Sequence, residues 1–241
     1  MQQFYDLLNQ GQFDVIYSDN FDYTNASDIE KSNHIVKLNC DSYNNYKLTE
    51  LPNLPICKRL SCSNNKLTIL PELPLCEYLI CTHNNLIKLP DLPLCESLMC
   101  SYNQLTRLPK LPLCIDLYCQ DNQLITLPEL PLCQILSCSH NQLINLPELP
   151  LCTQIICQYN KLYYISELPH CIYLKCSNNL LPYFIFNHFS HKIFIKFYKS
   201  LAAYKIQTAY TNYKKRKFKS MIMCIQNNLC YDIIDLFKQY I

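Results

Sequence analysis

The chain has 241 residues, 49% of them apolar and 17% charged, with a formal net charge of +2. It is too apolar and too weakly charged for a disordered tail, and long enough for one or two domains with a core. It holds 17 Cys, 14 Pro and a single Gly, Gly11, which disfavours folds built on glycine-rich phosphate loops.

Residues 1–34 read as an N-terminal cap. Their start has neither the basic nor the apolar region of a secretory signal. Nowhere does a run of about 18 uncharged apolar residues suggest a membrane span. A degenerate unit begins at Ile35, with Leu38 and Cys40 in frame and a few extra residues before Leu48. From there the cysteines become periodic. One series is Cys57, Cys76, Cys95, Cys114, Cys133, Cys152 and Cys171; the other is Cys62, Cys81, Cys100, Cys119, Cys138, Cys157 and Cys176. Both advance in steps of 19, and a fixed period near 20 marks a solenoid.

The unit from Cys76 to Leu94 shows the frame C-x-x-L-x-C-x-x-N-x-L-x-x-L-P-x-L-P-L. It resembles the leucine-rich repeat, L-x-x-L-x-L-x-x-N-x-L, with Cys in place of the first and third leucines. An asparagine ladder runs through Asn65, Asn84, Asn103, Asn122, Asn141, Asn160 and Asn179. The last units drift, with Ile165-Ser166 in place of Leu-Pro and His170 in place of Leu. The short Leu-Pro-x-Leu-Pro units are similar to those of bacterial effectors, and the cysteine-substituted form to repeat proteins of large DNA viruses. The resemblance implies a horseshoe over residues 35–182, about eight units, with short parallel β-strands on the concave side. Two prolines per unit, such as Pro71 and Pro74, exclude a helix from the return half and predict an extended or polyproline-like convex side.

Alternation along each strand places Leu79 and Cys81 inward and Ile80 and Thr82 outward. The ladder asparagines then bond backbone groups of adjacent coils, and the frame residues are spent on packing. Inward cysteines act as small buried hydrophobes. Disulfides between side-by-side parallel positions would be strained. Pairs spaced along an array form no tetrahedral metal set, so no metal and no cofactor is expected. An odd number of cysteines without a signal points to the reducing cytoplasm, which for an effector-type protein includes that of a host cell.

Recognition falls to the variable outward positions. Three rows start at Arg59, Ser61 and Ser63, and the first two contribute Tyr78, Ile80, Met99, Tyr118, Ile135, Ile156 and Tyr173 as the partner-binding set. Aromatic and Met side chains with little charge fit a protein surface. Arg59 and Lys175 alone are too few for nucleic acid. A rim row holds Asn64, His83, Tyr102, Asp121, His140, Tyr159 and Asn178; its histidines are too far apart to share a metal ion.

After Pro182 the charge inverts. Residues 183–241 carry 10 basic and 2 acidic residues, against 11 and 17 in residues 1–182. Phe186, Phe189, Ile193 and Phe197 keep helical spacing, so the segment reads as a helical, basic C-terminal cap. Within 202–218, Ile206, Ala209, Tyr210 and Tyr213 form an apolar stripe. This stretch resembles a degenerate IQ motif, with Ile206, Gln207 and Arg216 in frame and Thr211-Asn212 in place of Arg-Gly. It implies a calmodulin-like partner on Ile206, Gln207, Tyr210 and Arg216, or else a helix docked on its own domain. Cys230-Tyr231-Asp232 spells the Cys-x-Asp of effector ubiquitin ligases. The residues after the repeats are too few for that domain, and a thiol nucleophile needs a shaped basic site. The sequence thus predicts a non-catalytic protein-interaction scaffold, with no nucleic acid and no membrane among its partners.

Overall fold

In the computed structural model the described residues are 1–181, apart from 20, 23, 43–46 and 167. The chain opens with α1 (Gln2–Asn9), which buries Phe4, Leu7 and Leu8 on one face, the spacing an amphipathic helix needs. Strand β1 (Asp14–Tyr17) follows, then α2 (Asp28–Asn33). Ser27 caps α2 by accepting from the Glu30 backbone N–H, while the Glu30 carboxylate accepts from the Ser27 N–H. This is a capping box.

Eight short strands then stack in parallel: β2 (Ile35–Asn39), β3 (Arg59–Ser61), β4 (Tyr78–Ile80), β5 (Ser97–Met99), β6 (Asp116–Tyr118), β7 (Ile135–Ser137), β8 (Gln154–Ile156) and β9 (Tyr173–Lys175). They form one sheet in chain order, with β1 antiparallel to β2 at its first edge. From β3 onward the register advances by one repeat per strand, so Leu60, Leu79, Leu98, Leu117, Leu136, Ile155 and Leu174 form a single file. The 19-residue period therefore sets the fold directly.

Each coil closes on the same inward set. In one coil Cys76, Leu79, Cys81, Leu86 and Leu92 are all shut off from solvent. A fully buried leucine contributes about 1.5–3 kcal/mol, and each coil shares its core only with its neighbours. All 15 described cysteines are free and buried. The series that includes Cys76 explains why cysteine is used there. Its thiol donates to the carbonyl of Tyr78 at 3.4 Å, and Cys57, Cys95, Cys114, Cys133, Cys152 and Cys171 do the same two residues ahead. A leucine would fill the space without a donor.

The asparagine ladder closes the next turn. Asn84 Nδ2 donates to the Cys62 carbonyl of the preceding coil at 2.9 Å and to the Cys81 and Thr82 carbonyls of its own. Its Oδ1 accepts from the Leu67 N–H at 3.0 Å. One side chain thus satisfies backbone groups that the solenoid interior would otherwise strand.

The return half contains no helix in any described coil. It differs from an extended convex side in one respect. The second proline of each unit sits at the corner of a β-turn: in Leu73-Pro74-Leu75-Cys76 the Cys76 N–H donates to the Leu73 carbonyl at 3.2 Å, and the bond recurs in every coil. Proline is suited to the second position of such a turn because its φ is already set. The leucine after it is not spent on packing. Leu75, Leu94, Leu113, Leu132 and Leu151 are 38–43% exposed, which corrects the expectation that every frame residue is internal.

Candidate functional site

The outward strand positions form two rows. One is Tyr78, Ser97, Asp116, Ile135, Gln154 and Tyr173; the other is Ile80, Met99, Tyr118, Ser137, Ile156 and Lys175. Neighbours in a row are about 4.8 Å apart, the spacing of paired strands. Ile80, Met99 and Tyr118 therefore form an unbroken apolar file. Ile156 is separated from it by Ser137, and Ile135 lies in the adjoining row, with Tyr78 and Tyr173 toward its two ends. The seven side chains are half-buried, while the middle residue of each strand from β3 to β8, a leucine or Ile155, is buried in the core.

Charged groups border this face at its first coils. The Arg59 guanidinium lies 4.6 Å over the Tyr78 ring, and the Tyr78 hydroxyl donates to Glu96 Oε2 at 3.0 Å. That bond to a carboxylate holds the Tyr78 phenol above its ordinary value. Lys58 pairs with Glu77 at 3.2 Å. At the far end Lys175 lies 5.4 Å from the Tyr173 ring centre. Tyr78 is thus held in place on its ring and its hydroxyl.

The third outward row departs from expectation. Ser63, Ser101 and Ser139 are buried, as is Ser137 in the second row. Hydrogen bonds along the stack account for much of this: Thr82 Oγ1 donates to Ser63 Oγ at 3.1 Å, Ser101 Oγ to Gln120 Oε1 at 2.8 Å, and Gln158 Nε2 to Ser177 Oγ at 2.6 Å. Ser137 lies in register between Tyr118 and Ile156, whose larger side chains flank it. The four buried serines offer no accessible hydroxyl at the face.

The rim carries a feature that reading the residues as merely polar overlooks. Asn64, His83, Tyr102, Asp121, His140, Tyr159 and Asn178 all have φ between 52° and 58°. This left-handed conformation suits Asn, Asp and His and is unusual for Tyr. The signal was in the sequence, since the place just before each ladder asparagine holds Asn or Asp in three coils and never Gly. The rim rings also pair. His83 stacks on Tyr102 at 4.2 Å and His140 on Tyr159 at 4.3 Å, nearly parallel in both cases.

Burial makes most of the thiols inert. Burial pushes Cys57 and Cys171 up to about 11, and Cys76, Cys114 and Cys176 up to about 12. No cluster of three His, Cys, Asp or Glu suited to a metal occurs among the described residues. No helix among them is long and apolar enough to cross a membrane. Ile206, Gln207, Tyr210, Arg216, the calmodulin-like partner they imply, and Cys230 all lie outside the described residues.

The fold is that of a leucine-rich-repeat solenoid with 19-residue units, and solved structures of bacterial effectors share it. The chain is 36% identical to YopM, a leucine-rich effector protein from Yersinia pestis, with a TM-score of 0.52 over 57% of this chain and 43% of that one. It is 28% identical to the leucine-rich-repeat domain of a Shigella effector, with a TM-score of 0.55 over 74% of this chain and 78% of that one. The chain spans less than half the length of the Yersinia protein. No protein-family model matches the sequence, and no curated protein does.

Proposed function

We propose that the protein is a non-catalytic recognition scaffold whose strand face binds a protein partner. The observation that carries this reading is the file Ile80–Met99–Tyr118, with Ile135 and Ile156 beside it, on a rigid in-register sheet. Preorganised aromatic and apolar anchors are what hot spots are made of. The resemblance to effector repeats supports a protein as partner, and the free buried thiols fit a reducing compartment such as the cytoplasm. Quantitative capture from cell lysate tests it. The wild type should retain a partner that Tyr118→Ala and Met99→Ala lose, while Leu113→Ser on the return side keeps it. Equal capture by all three variants would move the binding surface off the strands.

The C-terminal Ile206, Gln207, Tyr210 and Arg216 are proposed as a second contact, for a calmodulin-like protein. An apolar stripe with a basic flank suits a flexible acidic groove. Ile206→Glu should abolish such binding without altering the melting temperature. A melting temperature lowered by several degrees, with no calmodulin bound by the wild type, would assign the segment to capping instead.

A further inference from the structure

The rim row places one carboxylate between two aromatic faces. In order along the stack it reads Asn64, His83, Tyr102, Asp121, His140, Tyr159, Asn178, so a three-coil pattern of small polar residue, His and Tyr runs twice and ends on a third small residue. The His83–Tyr102 and His140–Tyr159 stacks lie within 7° and 16° of parallel. Consecutive rings therefore face along the solenoid axis. Tyr102 has His83 on one side, and its other face looks toward the coil of Asp121. His140 has Tyr159 on one side, and its other face looks back toward the same coil. Two coil spacings separate these free faces, roughly 10 Å at about 4.8 Å per strand. A cation midway between them lies about 5 Å from each ring, within the roughly 6 Å reach of a cation–π contact. Between them stands Asp121, whose side chain is too short to fill the gap.

Asp121 is also without a cation. None of the ion pairs among the described residues involves it. Its backbone N–H donates to the Ser139 carbonyl at 3.0 Å, which fixes Ser139 as its neighbour on the next coil. Tyr102 is 48% exposed and so open to a visitor. A flat, cationic, multiply donating group meets all of these at once. It lies between the Tyr102 and His140 faces and pairs with Asp121. Guanidinium has that shape and ammonium does not.

We propose that Asp121, Tyr102 and His140 form a slot for the guanidinium of an arginine side chain on the protein partner. The proposal rests on a protein occupying the adjoining strand face, and it assigns that partner an arginine at the rim. Asn64 and Asn178 do not form equivalent slots, because neither is charged and each has a ring stack on one side only.

The test is a titration of the full chain with N-acetyl-arginine amide, followed through the ring resonances of Tyr102 and His140. N-acetyl-lysine amide and the Asp121→Asn variant serve as controls. Asn already occupies this left-handed position at Asn64 and Asn178, so the variant keeps the fold. Saturable ring shifts with arginine, weaker by roughly tenfold with lysine or in Asp121→Asn, are expected, since the charge-assisted planar pair is what the slot supplies. Equal shifts from arginine and lysine, or an unchanged titration in Asp121→Asn, would overturn the proposal. Tyr118→Ala should leave the titration as it is in the wild type. Partner capture by that variant reads the strand-face reading separately, so either can fail without the other.

Discussion

The two halves of each coil are held by different forces. Around the strands, hydrogen bonds run from coil to coil at nearly every step: Glu77 to Lys58, Cys81 to Met99, His83 to Ser101, and the Asn84 side chain to Cys62 and Leu67. In the return half, from Ile69 to Leu75, no backbone bond links that stretch to a neighbouring coil. It is held by Leu70 and Leu73 packing inward and by prolines that fix φ and bring no N–H needing a partner. This explains where the sequence varies from coil to coil. Where the backbone holds itself, outward side chains are free to differ, and the strand face carries Tyr, Ile, Met, Ser and Asp. Where packing and proline stiffness do the holding, Leu-Pro-x-Leu-Pro-Leu returns almost unchanged.

The sharpest way to break the strand half is alkali. Buried thiols bracket every strand from β3 to β9, with Cys57 held at about 11 and Cys76 at about 12, against about 8.5 in an unfolded chain. Between these values the unfolded state releases protons that the folded state keeps, so stability falls as pH rises. Each such thiol removes about 1.4 kcal/mol per pH unit. Several acting together exceed the roughly 5–15 kcal/mol of a native domain. Circular dichroism should therefore show cooperative unfolding between about pH 9 and 11. Full stability at pH 11 would mean that the thiols are not core.

Leu117→Ala comes next. Leu117 is wholly buried, and its truncation should destabilise by about 2–5 kcal/mol in denaturant unfolding. Asn122→Ala should follow at about 1–3 kcal/mol, because it strands the Leu105 N–H and removes a donor to the Cys100 carbonyl of the preceding coil. At the small end are Tyr118→Ala on the strand face and Leu113→Ser on the turn. Each should change stability by no more than about 0.5 kcal/mol. If Tyr118→Ala were the costly member of the Leu117/Tyr118 pair, the inward and outward phases would be exchanged.

The repeat, its register and its core were legible because a single period fixes them. Cys76, Leu79, Cys81, Asn84 and Leu86 recur in one frame, and parallel stacking follows from the recurrence. Features that depend on how coils lean on one another were not. Ser137 looks like any outward serine until Tyr118 and Ile156 flank it. Leu113 shares its spelling with buried leucines, and only the turn at Pro112 shows that it faces out. In the cap, Ser27 and Glu30 had the spacing of a capping box, but no period drew attention to it. The rim stacks needed the left-handed backbone at His83 and Tyr102, which residue type alone does not reveal.

Everything proposed for the face and rim depends on one claim, that the ladder cysteines point inward and the residues beside them point out. Native-state thiol labelling read by mass spectrometry tests it most directly. Cys57 through Cys176 should stay unmodified in the folded protein and react together once it unfolds, as buried groups reached only by global opening do. Rapid modification of either cysteine series under native conditions would contradict the account.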